Sequence, residues 1–310
     1  MIVASIDIGS NTVLLLIAKI SFDNNFLETI KNYYRAPRIS KGLISGNRIS
    51  DIKISELMNV LSEYKSIIEN YQCEKVFLVA TNALRIASNS KEISEIIKNK
   101  FNWDLEIIDG DEEARLSFLG ATYNYNYHQK VVIDIGGGST EIIYGIEDKI
   151  IYKKSFSVGI VSFTEKYFKK NLPDSSEIDN LKKDLNEIFS ELTHDVPPKT
   201  FTIAVAGTPT TLSCIKQNIK VYDEKLVDNS VINYEDIEKI CFQLSRMTAE
   251  QIKNKFGQVV EGREDVLFTG TLILKTLMEI LEIDKITVSN KGLRYGVIID
   301  KLIKQNNKEK

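Results

Sequence analysis

One phrase stands twice in this chain, and the repetition restricts the fold more than any other feature. Ile6-Asp7-Ile8-Gly9, within "IVASIDIGSNTVLLLIAKI", returns as Ile133-Asp134-Ile135-Gly136 within "VVIDIGGGSTEIIYG". Each copy is a β-branched run ending near an aspartate, then a turn of small polar residues, then a second β-rich run. Such runs around a turn that tolerates unusual backbone angles read as a β-hairpin. The copies lie 127 positions apart, from Asp7 to Asp134. Solenoid repeats recur about every 20 to 50 residues, so this spacing points to a duplicated domain.

Between and after the hairpins, helical stripes alternate with short apolar runs. Ile54, Leu57, Met58, Leu61, Ile67 and Ile68 follow helical spacing, as do Ile93, Ile96, Ile97 and Phe101, with Ser90 as the expected cap. "KVFLVAT" and "LEIID" read as strands, and "GDEEARLSFLGA" opens a helix. In the second half, Asp174 and Glu177 have capping-box spacing at the head of a helix. "TFTIAVAGT" and "KITVSN" read as strands, and "EDVLFTGTLILKTLMEIL" and "KGLRYGVIIDKLIK" as helices. Strands alternating with helices indicate an α/β class. "YNYNYHQK" has no apolar period and marks a domain boundary near residues 120 to 130, and the tail "KQNNKEK" reads as polar and frayed.

At 310 residues and 43% hydrophobic, the chain is long enough for one large or two medium domains without covalent staples. A formal charge of -3 gives no global basic field, so neither nucleic acid nor a membrane surface is an expected partner. No apolar stretch approaches the roughly 20 residues needed to span a bilayer. Cys73, Cys214 and Cys241 lack CxxC spacing and read as thiols in a reducing compartment. With no leader-like start, a cytoplasmic location is expected.

The two hairpin turns carry the chemistry. At Asp7-Ile8-Gly9-Ser10-Asn11-Thr12, backbone N–H groups and hydroxyls suit phosphate oxygens, and the aspartate suits a hard divalent cation sharing them. A single such turn reads first as an ordinary hairpin, in which Asx and glycine chemistry satisfies the backbone. The second copy tips the balance. Gly136, Gly137 and Gly138 cost backbone entropy and add no packing, which makes sense where a ligand approaches the main chain. Ser139 and Thr140 add hydroxyls, while Asp134 and Glu141 bracket the turn. Gly207 and Thr208, at a strand-to-helix turn, form a third candidate. Asp111, Glu112 and Glu113 complement a helix dipole, and a glutamate there also suits a general base. Arg85, just past a strand, suits bidentate phosphate contact. Lys31/Arg35/Arg38/Lys41, Lys153/Lys154 and Lys166/Lys169/Lys170 read as solvated faces. His128 and His194 lack metal-ligand spacing, and Ser139 has no histidine in a triad pattern.

In this order, "IDIGSNT", "RISKGL", "VATNALRIASN", "IIDGDEEARLSFLGA", "VIDIGGGSTEI", "SFSVGIVSFTE", "AVAGTPTTL", "GREDVLFTG" and "VSNKGLRYG" resemble the Ppx/GppA phosphatase family, over nearly the whole chain. These are exopolyphosphatases and guanosine pentaphosphate phosphohydrolases. The resemblance is to the short, two-domain form. It implies an α/β, actin/Hsp70/hexokinase-like fold of two ribonuclease-H-like domains with a cleft between them. The expected domains are 1–122 and 123–310, with a closing helix near 292–305 able to pack on the first.

The resemblance also implies hydrolysis of terminal phosphoanhydrides of polyphosphate, guanosine pentaphosphate or both with Mg²⁺. The expected partners are polyphosphate or guanosine penta- or tetraphosphate, with a homodimer as the expected assembly. Carried over by position, Glu113 is first choice as base and Glu112 second. Arg85 contacts phosphate, as do Gly9, Ser10, Asn11, Thr12, the Gly136–Thr140 turn, Gly207 and Thr208. Asp7, Asp134 and Glu141 face the metal. Leu14 stands where an arginine or histidine often follows the first turn, Ser162 replaces a common arginine, Ala206 a glycine and Tyr295 a glutamate. The two lost cations predict weaker polyanion binding. A regulator that binds guanosine tetra- or pentaphosphate without turnover, or an ATPase or kinase of the same fold, are the alternatives.

Overall fold

A computed structural model describes residues 1–21, 26–43, 46–123, 125–147, 149–170 and 172–304. The polar tail beyond Lys304 lies outside the described residues. The chain divides into two units, Met1–Gly120 with the segment from Lys291 onward, and Ala121–Asn290.

In the first unit, β1 (Ile2–Ile8), β2 (Val13–Ser21), β3 (Phe26–Arg35), β4 (Lys75–Ala80) and β5 (Leu105–Ile107) form one sheet in the order β3-β2-β1-β4-β5. The first three strands run antiparallel in sequence, while β4 lies parallel to β1 and β5 parallel to β4. The second unit contains β6 (Gln129–Ile135), β7 (Thr140–Ile146), β8 (Lys149–Phe156), β9 (Phe201–Val205), β10 (Val231–Asn233) and β11 (Lys285–Val288). Read from β8, its order is β8-β7-β6-β9-β11, with β10 added antiparallel at the edge. The duplicated phrase has therefore built the same sheet twice, each with the ribonuclease-H-like order. The fold is α/β of the actin-like kind.

Each sheet buries an apolar face under helices. Helix Asp51–Asn70 starts at Ser50, whose hydroxyl accepts from the Lys53 amide, and buries Ile54, Leu57, Met58, Leu61, Tyr64 and Ile68 against β1 and β2. Each such aliphatic side chain contributes about 1.5–3 kcal/mol when fully buried. In the second unit, Asp174 and Glu177 form the expected capping box, and helix Ser175–Phe189 buries Leu181, Leu185 and Phe189. Helix Leu267–Ile280 is buried along almost its whole length. Cys214 and Cys241 are buried and Cys73 half-buried, all unpaired, and burial pushes each thiol up to about 11.

One strand has no counterpart in the sequence reading, and one helix cap moves. Strand β3 carries "FLETIKNYYR", an edge strand whose charged residues hide its β signal. Ser90 is inside the helix Ser90–Phe101 rather than its cap. Asn89 occupies the cap position, but its amide side chain bonds both backbone groups of Ile49 instead. The closing helix Leu293–Ile298 is part of the first unit. Leu293 and Val297 complete a small core with Val79, Ile108 and Leu116. Glycines permit this approach: a Cβ on Gly296 would lie 1.8 Å from the Leu116 carbonyl oxygen, and one on Gly120 2.2 Å from that of Gly292. Among the described residues, no helix is long and apolar enough to cross a membrane.

Candidate active site

The two hairpins turn in the same way. Gly9 N–H donates to Thr12 O at 2.9 Å, and Gly136 N–H donates to Ser139 O at 2.9 Å. Both glycines are crowded by the turn itself, since an added Cβ would lie 3.2 Å from Thr12 O and 3.1 Å from Ser139 O. Ser10 and Asn11 thus correspond to Gly137 and Gly138. Among the described residues, the backbone amides of these four residues donate no hydrogen bond to the protein. Successive uncommitted amides in a turn form an anion-binding concavity.

Each turn is held from behind through its carbonyls. Arg38 N–H donates to Asn11 O at 3.0 Å and Ser40 N–H to Ser10 O at 3.1 Å. In the second unit, the head of helix Ile160–Tyr167 does this work. Ile160 N–H donates to Gly136 O at 3.0 Å and Val161 N–H to Gly137 O at 2.8 Å. Gly159 approaches so closely that its Cβ would stand 2.3 Å from Gly138 Cα. The glycine run therefore answers first to this backbone contact, besides any contact with a ligand.

Asp134 and Glu141 are direct cross-strand partners on β6 and β7. Glu141 is 1% exposed, and Ser155 donates to its Oε1 at 2.5 Å. Asp134 is half-buried. In the first hairpin, Asp7 pairs with Leu14, so the second carboxylate has no counterpart there. Among the described residues, no group of three or more His, Cys, Asp or Glu side chains is gathered for a metal. Two adjacent carboxylates nevertheless suit Mg²⁺, which takes one or two carboxylates and fills its remaining positions with water and substrate phosphate. Thr140 differs from its expected role: it is fully buried, and its hydroxyl donates to Val158 O at 2.6 Å, which ties it to the chain behind the turn.

The acidic run on helix Gly110–Thr122 separates into two environments. Asp109 Oδ1 accepts from the Glu112 amide at 2.8 Å and caps the helix. Glu112 is gripped by Arg115 through two bonds of 2.8 and 2.7 Å, and Arg115 reaches Asp300 at 2.8 Å. Hydrogen bonds to Glu112 and then Asp300 push the Arg115 guanidinium above its ordinary value. Glu113 is 8% exposed and receives Arg85 Nη1 on Oε2 at 3.0 Å. The same Arg85 nitrogen donates to Ile108 O at 2.9 Å, which anchors it to the end of β5.

At the third turn, Ala206 has φ 73° and ψ -166° at the head of helix Gly207–Lys216. Thr208 is buried beneath Gly270, where a Cβ would come within 2.5 Å of Thr208 Oγ1. Gly207 lies against the Arg263 guanidinium, and its Cβ would stand 1.9 Å from Nη1. Arg263 also donates to Thr211 Oγ1 at 3.3 Å. Sequence reasoning did not single out Arg263, although it stands within "GREDVLFTG". It also placed Arg38 among solvated cations. Of that cluster Arg35 pairs with Glu63 on the surface, but Arg38 reaches the first turn, its Nε 3.2 Å from Asn11 Oδ1.

Comparison with known proteins follows the same lines. The sequence model of the Ppx/GppA phosphatase family matches residues 16–305. The chain is 32% identical over 310 residues to a bifunctional 3-dehydroquinate synthase/phosphatase of Fusobacterium nucleatum, covering 96% of this chain and 46% of that one. It thus spans about half the length of that relative. Exopolyphosphatase 2 of Mycobacterium tuberculosis is 29% identical, covering 96% of this chain and 97% of its own. The crystal structure of the Aquifex aeolicus member of the Ppx/GppA family matches with a TM-score of 0.84 at 33% identity, covering 99% of both chains. The chain belongs to the Ppx/GppA phosphatase family.

Proposed function

We propose that this protein is a Mg²⁺-dependent hydrolase that removes terminal phosphate from inorganic polyphosphate, guanosine pentaphosphate or both, with Glu113 as general base. The observation that carries this reading is the pairing of Glu113 with Arg85, a buried carboxylate oriented by a guanidinium anchored to the β5 end. Glu112 is the lesser choice because Arg115 already holds both of its oxygens. In this reading, Glu113 orients a water and accepts its proton as the water oxygen attacks phosphorus. The bond from phosphorus to the bridging oxygen breaks, releasing orthophosphate and the shortened substrate.

Within each unit the free turn amides, those of Ser10 and Asn11 and those of Gly137 and Gly138, donate to phosphate oxygens. Donors already in place when charge shifts stabilise the transition state without reorganising. Asp134, with Glu141 beside it, is suited to hold Mg²⁺, and Asp7 is the carboxylate at the matching place in the first hairpin. When bound, the ion would neutralise charge on the phosphate oxygens. The exopolyphosphatase named among the relatives supports polyphosphate as a substrate. A cytoplasmic site of action fits such a substrate.

The test is orthophosphate release from polyphosphate, guanosine pentaphosphate and ATP, side by side, with Mg²⁺ and again with excess chelator. Release from the first or second, lost on chelation, is expected. Glu113→Gln should lower kcat by about 10²–10⁴-fold with Tm maintained, while Glu112→Gln keeps most turnover. Equal turnover by Glu113→Gln and the parent would reject Glu113 as base. The loss of cations at Leu14 and Ser162 favours one further reading, a regulator that binds guanosine tetra- or pentaphosphate without hydrolysis. Nucleotide binding with no release from any substrate would support it.

A further inference from the structure

We infer that Arg38 is a positioning residue: it sets the Asn11 side chain so that Asn11 Nδ2 donates to a substrate phosphate oxygen. The inference rests on the reading of the Gly9–Thr12 turn as a phosphate site. Arg38 touches Asn11 twice, through its backbone N–H to Asn11 O at 3.0 Å and through Nε to Asn11 Oδ1 at 3.2 Å. A guanidinium only donates, so the atom facing Nε must be the amide oxygen. That fixes which end of the amide is Nδ2.

Asn11 is 4% exposed, and Nδ2 has no hydrogen-bond partner among the described residues. A buried donor without an acceptor is costly, and its persistence calls for a reason such as an incoming acceptor. The neighbouring Ser10 Oγ is in the same condition, 3% exposed and unmatched among the described residues. Both orphaned donors lie in the first turn, whose carbonyls are clamped by Arg38 and Ser40.

The second turn shows why the device is needed here. Glycines stand at the two matching positions of that turn, so only its backbone can donate there. In the first turn side chains are donors too, and a side chain requires orienting. Arg38 itself has φ 53°, a conformation that non-glycine residues keep only where their surroundings impose it. Its strained backbone places both the N–H and the side chain on the same asparagine.

A double-mutant cycle tests this, read as KM and kcat for phosphate release and as tripolyphosphate affinity by calorimetry in the Glu113→Gln background. Asn11→Ala should weaken tripolyphosphate binding by roughly 10- to 100-fold, the effect of losing one charge-assisted hydrogen bond. Arg38→Ala should weaken it by about 10-fold and have no further effect once Asn11 is alanine. Arg38→Lys should fail to restore affinity, because it keeps the charge without the planar Nε–H. Independent, multiplying losses, or full rescue by lysine, would overturn the inference, since Arg38 would then act on the anion by its own charge. A fall in Tm with affinity unchanged in Arg38→Ala would reduce Arg38 to a structural role. Unchanged affinity in Asn11→Ala would reject the Nδ2 contact and the positioning role with it, whereas no tripolyphosphate binding by the Glu113→Gln protein itself would reject the phosphate reading of the turn.

Discussion

Glu112 and Glu113 are neighbours in sequence and differ entirely in surroundings. A helix turns about 100° per residue, so successive side chains face different partners. One meets Arg115 and Asp300, the other Arg85 and the interior. Backbone conformation makes a second distinction at single-residue scale. Ala206 holds φ 73° and ψ -166°, a region populated almost only by glycine. This explains why a glycine at that position suits the fold, and why alanine is strained there. Ala206→Gly should stabilise the chain by about 1 kcal/mol, the relief of strain less glycine's added freedom when unfolded. Thermal denaturation measures it, and a lower Tm would mean that the Ala206 methyl group contributes more packing than its backbone costs.

At the scale of elements, each hairpin turn is fixed by something remote in sequence that grips its carbonyls: a loop at Arg38–Ser40, or the helix Ile160–Tyr167. Gly159→Ala would drive a Cβ to 2.3 Å from Gly138 Cα and 2.4 Å from Gly137 O, both main-chain atoms that yield only if the turn moves. The expected result is a loss of about 1–3 kcal/mol in urea denaturation, with turnover falling at least roughly 10-fold as the amides leave their positions. A variant matching the parent in both measurements would show the helix head and the turn to be uncoupled. Hairpin strands were legible because their β-branched runs alternate around a glycine turn. The edge strand β3 was not, because "FLETIKNYYR" carries polar residues that water tolerates. The Ser90 cap was misplaced by one residue, since Asn89 uses its side chain on Ile49, a tertiary contact without a local signal.

Across the whole molecule, acid stability follows from carboxylates whose folded state favours ionisation. Asp184 and Asp236 are held below their usual range, by Tyr167 and by Lys216 respectively as the leading cause. The Glu177 amide lowers Asp174 to about 2. For a depressed carboxylate the stabilisation is present above the unfolded value near 4 and is lost as pH falls through the lower folded value. Asp236→Asn should therefore lower Tm at pH 7, where the Lys216 bridge at 2.8 Å is intact. The difference from the parent should shrink steadily below about pH 4. A gap that persists at pH 2 would show that the loss is one of packing rather than charge.

The duplicated phrase by itself determined that the chain would form two α/β units of one topology, each with a small polar turn at a strand end. Periodicity and turn chemistry act over a few residues, and both are written locally. Tertiary structure decided which groups those turns would meet. It brought Arg85 to Glu113 from 28 positions away and Arg38 to Asn11 from 27. It placed Arg263 against Gly207 and turned the Thr140 hydroxyl inward. None of these has a local signal, because each arises where separate elements pack and a side chain takes the partner that packing leaves within reach.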